Sequence, residues 1–403
     1  MNQTCILTKE MEQKIIETPH EFADICPIED KDVNQKLNQL IEDPGFRFFI
    51  EFIMPGVDYE KYCEGLSTIT SKYDFQAKYS CSYLQLVEKS TTSGITSNGV
   101  KELNPATSYT FITNHRDIVL DASFLNLELW RNGFPTSEVA IGNNLLAFNW
   151  IETLVKLNKS FIVKRDTTTK GRLAAAIQLS HYIHFAINQK HESIWIAQRQ
   201  GRAKDSNDLT QDSLVKMLTI GGECANPIES LKKLNIAPVS LSYEFDPNDY
   251  LKATEFLMKK KNPDFKKSQN DDVISMLTGI RGFKGRIHFE FTPCINDQLD
   301  QIPADLEKQE KIHRVCHIIN KAIHANYHLY PCNYIAYDRL NGTNTYADMY
   351  TESDIAYFNK YLNRRIEKVK VHTNDEEKAF MRERILEMYA NPLINKNKAL
   401  GLM

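Results

Sequence analysis

Short apolar runs alternate with longer amphipathic stretches through the middle of this chain. Ser108–Thr113, Ser137–Ile141, Ser160–Lys164, Ser193–Ala197, Pro238–Tyr243 and Arg286–Phe291 read as strands. Between them, Asp117–Trp130, Leu145–Leu157, the alanine-rich Thr169–Ile187 and Gln211–Leu218 carry helical spacing, and Ala304–His328 adds a long helix after the last run. That alternation predicts an α/β fold: a mixed, largely parallel sheet flanked by helices. Residues 1–100 read as a mainly helical N-terminal region interrupted at Pro44-Gly45 and Pro55-Gly56, residues 101–295 as the α/β domain, and 296–403 as a helical C-terminal extension. The polar stretch from Ser90 to Gly99 reads as a loop, Lys259–Pro263 as a basic loop, and Asn391–Met403 as a frayed end.

Composition narrows the class. Of 403 residues, 42% are hydrophobic and 25% charged, the balance of a water-soluble globular chain. A net charge of -3 argues against a general nucleic-acid binder. Eight cysteines show no C-x-x-C and no compact disulfide spacing, and the N-terminus has no apolar signal core, so a reducing, cytoplasmic setting is expected. No segment approaches the ~20 apolar residues of a bilayer span, so membrane contact would be peripheral. Gly45–Val57 and Lys259–Lys267 are the segments available for it, although the first reads better as a core helix.

Three strand ends carry the candidate chemistry. After Tyr109–Ile112 come Asn114, His115, Arg116, Asp117 and, further on, Asp121. A carboxylate beside an imidazole holds one tautomer and suits general-base catalysis. Either aspartate can fill that place, and a strand-end histidine with Asp117 as a helix cap is an equally good structural account. A kinase reading of His115-Arg116-Asp117 fails, because Ala122 stands where that motif needs asparagine. The run Phe161–Val163 ends in Lys164 and Arg165, and Ile194–Ala197 leads into Arg199, Gln200, Gly201, Arg202 and Lys204. Guanidinium groups grip phosphate bidentately, and strand ends are where ligands sit in such sheets. Two cationic strand ends in succession are harder to explain as solvated turns than one. The histidines at 313, 317, 324 and 328, with Cys316, share a rough helical stripe but lack a loop ligand, so no metal is expected.

In order and spacing, these blocks resemble the glycerolipid acyltransferase superfamily, which includes glycerol-3-phosphate and lysophosphatidic acid acyltransferases. The resemblance spans about residues 100–295 and is carried by Asn114–Asp121, Phe161–Arg165, Arg199–Lys204 and Ile236–Leu241. The wording looks most like a bacterial subgroup. The resemblance implies acyl transfer from acyl-CoA or acyl carrier protein to a hydroxyl of a phosphate-bearing lipid acceptor, without a cofactor. His115 would be the base, Asp121 or Asp117 its partner, and Asn114, Lys164, Arg165, Arg199, Gln200, Gly201, Arg202 and Lys204 would bind substrate. Two departures stand out. Five residues, where the family has four, separate His115 from Asp121, and Gln200 replaces the usual glutamate. The end of the motif, Leu120-Asp121, favours Asp121 as partner. A lyso-aminolipid acceptor, or a non-catalytic lipid- or carrier-binding module, are the alternatives.

Overall fold

In the computed structural model, which describes residues 16–165, 168–369, 371 and 373–403, the chain forms an α/β fold around one seven-stranded sheet. The strands are β1 (Ile95–Asn98), β2 (Thr110–Thr113), β3 (Glu138–Gly142), β4 (Ser160–Val163), β5 (Ile194–Ala197), β6 (Ile236–Tyr243) and β7 (Ile287–Phe291). Their order across the sheet is β1-β7-β6-β2-β5-β3-β4, with only the β6–β7 pair antiparallel. β2 therefore lies centrally, between β6 and β5, and delivers its C-terminal end to the middle of one sheet edge.

β1 was not expected from the sequence. Thr96, Ser97 and Asn98 have the composition of a turn, yet Ile95–Asn98 pairs in register with Ile287–Glu290 as an edge strand. Edge strands tolerate such residues because only one side is paired. Pro238 is the third residue of β6, inside the sheet rather than at its rim. Its carbonyl accepts from Thr292 N at 3.0 Å, so its missing N–H faces the side where β7 has already ended.

The strands bury both faces. On β2 and β5, Phe111 and Trp195 join one apolar core with the helix Leu120–Arg131, while Ile112, Ile194 and Ile196 join the other with the helices Thr169–Asn188 and Lys308–Ala325. In chain order these helices and their neighbours are α1 (Pro44–Ile53), α2 (Cys81–Thr91), α3 (Leu120–Arg131), α4 (Asn149–Leu157), α5 (Thr169–Asn188), α6 (Gln269–Arg281), α7 (Lys308–Ala325) and α8 (Asp375–Leu400). Pro44 starts α1 rather than breaking a helix. Asp43 caps it, accepting from Gly45 N at 2.8 Å and Phe46 N at 3.3 Å. The α1 helix is only partly a core element: Phe46 and Ile50 are buried, but Phe48 is 70% exposed.

Two other expectations are corrected. Lys259–Lys261 are not a loop but the last turn of the helix Asp249–Lys261, where cations suit the helix dipole. The C-terminal end is not frayed: α8 runs through Pro392 to Leu400, with Leu393, Asn395 and Asn397 buried. No helix among the described residues is long and apolar enough to cross a membrane.

Candidate functional site

β2 ends at Thr113, and the chain turns through Asn114–Val119 into α3. His115 Nδ1 lies 2.8 Å from Asp121 Oδ2. The same oxygen accepts from Arg116 N at 2.6 Å and Asp117 N at 3.0 Å. An oxygen that already takes two N–H groups is an acceptor, so Nδ1 carries the imidazole proton. Nε2 is left without a hydrogen-bond partner among the described residues, and the ring rests edge-to-face on Trp195 at 5.7 Å. With five residues between them, His115 and Asp121 still meet, and the turn folds the Arg116 and Asp117 backbone N–H groups onto the same carboxylate.

Asp117 does a different job. Its Oδ1 accepts from Val119 N and Leu120 N, each at 2.9 Å, closing the turn that starts α3. Its Oδ2 is buried and makes no hydrogen bond. Burial, and then the nearby Asp121, push its carboxyl above the usual range. Gly279 makes room for it: a Cβ there would stand 2.0 Å from Asp117 Oδ2. Asn114 is committed elsewhere too. Its amide donates to Leu241 O at 2.8 Å and accepts from Leu241 N at 2.9 Å, stitching the end of β2 to β6. It is fully buried and both amide ends are engaged, so it is unsuited to donate to a reacting oxygen. Arg116 is buried against Asp208, with Tyr327 Oη and Ser206 O beyond it at 3.5 Å each.

His115 opens onto a cavity of about 1440 Å³, larger than the ~300–1,000 Å³ of sites for drug-sized ligands. Lys164, Arg165, Arg199, Gln200, Gly201, Arg202 and Lys204 line the same cavity, whereas Asn114, Asp117 and Asp121 stand behind its wall. The cations differ in how free they are. Lys164 is tied to Asp24 and donates to Gln178 Oε1 at 2.9 Å. Arg165 follows β4, its backbone N–H donating to Asn143 Oδ1 at 3.1 Å; burial pulls its guanidinium pKa down, and Asp272 opposes this. Lys204 pairs with Glu255 at 3.2 Å, and burial, followed by the charge of Arg202, brings it down to about 8. Against the opposing effect of burial, Lys204 and then Lys259 hold Glu255 near about 2.

Arg202 stands apart. It is 7% exposed, forms no ion pair or hydrogen bond among the described residues, and has a buried Nη1 without an acceptor. Arg199 Nε is likewise buried and unpartnered. A guanidinium held this way is short of an anion. Gly201, between them, has φ of +70°, a conformation that favours glycine and turns the loop so that both arginines border the cavity. Gln200 is exposed, its backbone N–H donating to Gln211 Oε1 at 2.8 Å.

The rest of the lining is largely apolar and comes from residues not expected in the site, some of them in the segments Gly45–Val57 and Lys259–Lys267. Phe49 and Ile53 of α1, Leu84 of α2 and Trp150 and Leu154 of α4 face it, and Arg172 and Lys267 add to the cationic side. The phenylalanine-rich Phe46–Phe52 was the available signal, since it carries more aromatic surface than one core face can bury. The histidine stripe disperses. His313 is exposed beside Asp212 at 2.8 Å, His324 bonds Asp208 O at 2.8 Å, and the His328 ring is tilted against His288 with centroids 4.8 Å apart. No group of three potential metal ligands forms among the described residues.

No family model matches the sequence, and no curated protein matches it. Among solved structures, the chain is similar to the crystal structure of a 1-acyl-sn-glycerophosphate (LPA) acyltransferase, PlsC, from Thermotoga maritima. Sequence identity is 9%, the match covers 70% of this chain and 91% of that chain, and the TM-score is 0.35.

Proposed function

We propose that the protein is an O-acyltransferase that moves a fatty acyl group from a thioester to the hydroxyl of a phosphate-bearing lipid acceptor. One observation carries this reading: an oriented imidazole opens onto a single cavity that is cationic on one side and apolar on the other. A hydroxyl, an anion and a long hydrocarbon are the three things such a site can hold together.

In this reading His115 Nε2 takes the acceptor's hydroxyl proton as the oxygen attacks the thioester carbonyl. Asp121 keeps the proton on Nδ1 and offsets the charge that forms on the ring. The tetrahedral intermediate collapses, the C–S bond breaks, and the imidazolium returns its proton to the thiolate. Arg202, Arg199 and protonated Lys204 take the acceptor phosphate, which fixes its hydroxyl beside His115. With Asn114 engaged in the sheet and the Gln200 N–H bonded to Gln211, the Gly201 N–H at the cavity edge is the candidate donor to the oxyanion. The acyl donor is acyl-CoA or acyl carrier protein, and a peripheral site on the cytoplasmic face of a membrane suits such substrates.

Thiol release from acyl-CoA by the purified protein, with lysophosphatidate or glycerol 3-phosphate as acceptor, tests the reading. His115→Ala should lose about 10²–10⁴-fold in kcat while still folding cooperatively. An unaltered rate would sink the mechanism. Turnover only with acceptors that lack phosphate, such as a lyso-aminolipid, would move the substrate class instead.

A further inference from the structure

The cavity has a far end that proton transfer and phosphate binding do not use. β2, β5, β3 and β4 run parallel, and His115 lies beyond their C-terminal ends. Ser160 opens β4 and is level with Val139, Trp195 and Phe111 across the sheet. It therefore sits four residues back from His115 and three strands across. At about 3.3 Å per residue and about 4.8 Å per strand, that is about 13 Å along the strands and about 14 Å across, or roughly 20 Å in all.

There the apolar lining gives way to polar side chains. The helical segment before α2 passes through a π-helical turn, Gln76–Ser80, a rare geometry that recurs at functional sites. The turn presents Gln76 and Ser80 to the cavity, opposite Thr136, Asn158 and Ser160. Gln76 is 7% exposed; its amide oxygen accepts from Thr136 Oγ1 at 2.7 Å, and its nitrogen has no partner among the described residues. Ser160 is 5% exposed, and its hydroxyl also lacks a partner among them. The Ser80 hydroxyl, by contrast, is used by Asn158 Oδ1. Neither the Gln76 amide nitrogen nor the Ser160 hydroxyl is sealed from the cavity, so each offers a hydrogen bond to whatever fills it, and a purely hydrocarbon chain end would leave both unmet once bound.

We propose that this floor is a subsite for a polar group, a hydroxyl in particular, on the distal part of the transferred acyl chain. A chain hydroxyl can accept from the Gln76 amide nitrogen and exchange a hydrogen bond with Ser160. The proposal rests on the acyl-transfer reading for the identity of the ligand, and it makes Gln76 and Ser160 determinants of donor specificity, remote from the chemistry at His115.

Binding separates the two ideas. Two thioether analogues of acyl-CoA, one saturated and one of equal length with a hydroxyl near the methyl end, are titrated calorimetrically into the full-length protein and into Gln76→Leu and Ser160→Ala. The wild type should bind the hydroxylated analogue about ten-fold more tightly, the worth of one good hydrogen bond to an otherwise unmet group. Gln76→Leu should abolish or reverse the preference. Ser160→Ala, the smaller change, guards against a folding defect and should weaken the preference. Equal affinities in the wild type, failure of either analogue to bind, or a preference that both variants keep overturns the proposal. Acyl transfer assayed in parallel fails independently: discrimination without transfer supports the floor and defeats the chemistry, while transfer without discrimination does the reverse.

Discussion

Replacing Asp117 and Asp121 one at a time by asparagine should have very unequal effects. Asp121 Oδ2 gathers three N–H groups, from His115 Nδ1 at 2.8 Å, Arg116 N at 2.6 Å and Asp117 N at 3.0 Å. Hydrogen bonds to a charged acceptor contribute about 1.5–3 kcal/mol each. An asparagine oxygen can keep the two backbone donors but loses the charge and serves the imidazole poorly, so Asp121→Asn should cost about 2–3 kcal/mol of stability. The imidazole also loses the group that fixes its tautomer, so kcat should fall by about 10²–10⁴-fold. Asp117 is the opposite case. Its Oδ1 serves Val119 N and Leu120 N, which an amide oxygen does equally well, and its Oδ2 has no hydrogen bond to lose. Its folded-state pKa lies above the unfolded value, because of burial and then Asp121. A carboxyl shifted upward stabilises the fold only at low pH, and that advantage is lost as pH rises through the folded pKa. Asparagine keeps the Oδ1 acceptor and removes the cost of burying an ionised form. Asp117→Asn should therefore stay within about 1 kcal/mol of the wild type and within ten-fold in kcat/KM. Urea denaturation with steady-state kinetics on both variants decides it. Equal losses of activity in the two would refute the assignment of Asp121 as the partner of His115.

Further outcomes follow from the cations. Lys204 has a depressed pKa of about 8, so it is charged below that pH and neutral above it. The acceptor KM should therefore climb as pH rises through about 8, and Lys204→Met should flatten that limb of the profile; an unchanged profile counts against phosphate contact. Arg202→Met should raise the acceptor KM about 10–100-fold with kcat nearly constant, the worth of lost charge-assisted hydrogen bonds in ground-state binding. Because Arg202 has no ion pair to lose, its unfolding free energy should not drop, and a loss above about 2 kcal/mol would mark it as structural. Arg116→Met leaves Asp208 buried without its partner and should cost about 3–5 kcal/mol in urea unfolding. A cost below about 1 kcal/mol would show that the pair is dispensable.

Much of this was readable from the chain because local pattern and global fold agree. Six of the strands announce themselves as apolar runs, since strands buried on both faces leave little room for polar residues. His115 and the arginines are visible because charge at the end of an apolar run is conspicuous. What stayed hidden depends on distant partners. β1 is a strand only because β7 lies beside it. Asn114 looks like a ligand-binding amide until Leu241, far along the chain, takes both its ends. Asp117 and Asp121 both stand near His115 in the sequence, where only the Leu120-Asp121 ending favours the second; their separate jobs come from how the turn folds its N–H groups. The apolar side of the cavity comes from Phe46–Ile53, whose pattern fits a core helix; Phe46, Phe49, Ile50 and Ile53 all pack with the core beneath α1 and also line the cavity. The burial of Arg202 has no local signature at all.

The turn that bears His115 is also tied to the far end of the chain. Arg116 meets Asp208 and Tyr327, Lys396 of α8 donates to Tyr327 O at 2.7 Å, and Asn391 of α8 donates to Asp205 O at 2.7 Å, within the same loop that follows the arginines. An imidazole braced through such contacts has no independent melting transition. Heat should leave catalysis intact until α8 comes away, and then abolish it in the same cooperative step that ends the fold, with no inactive yet folded state in between.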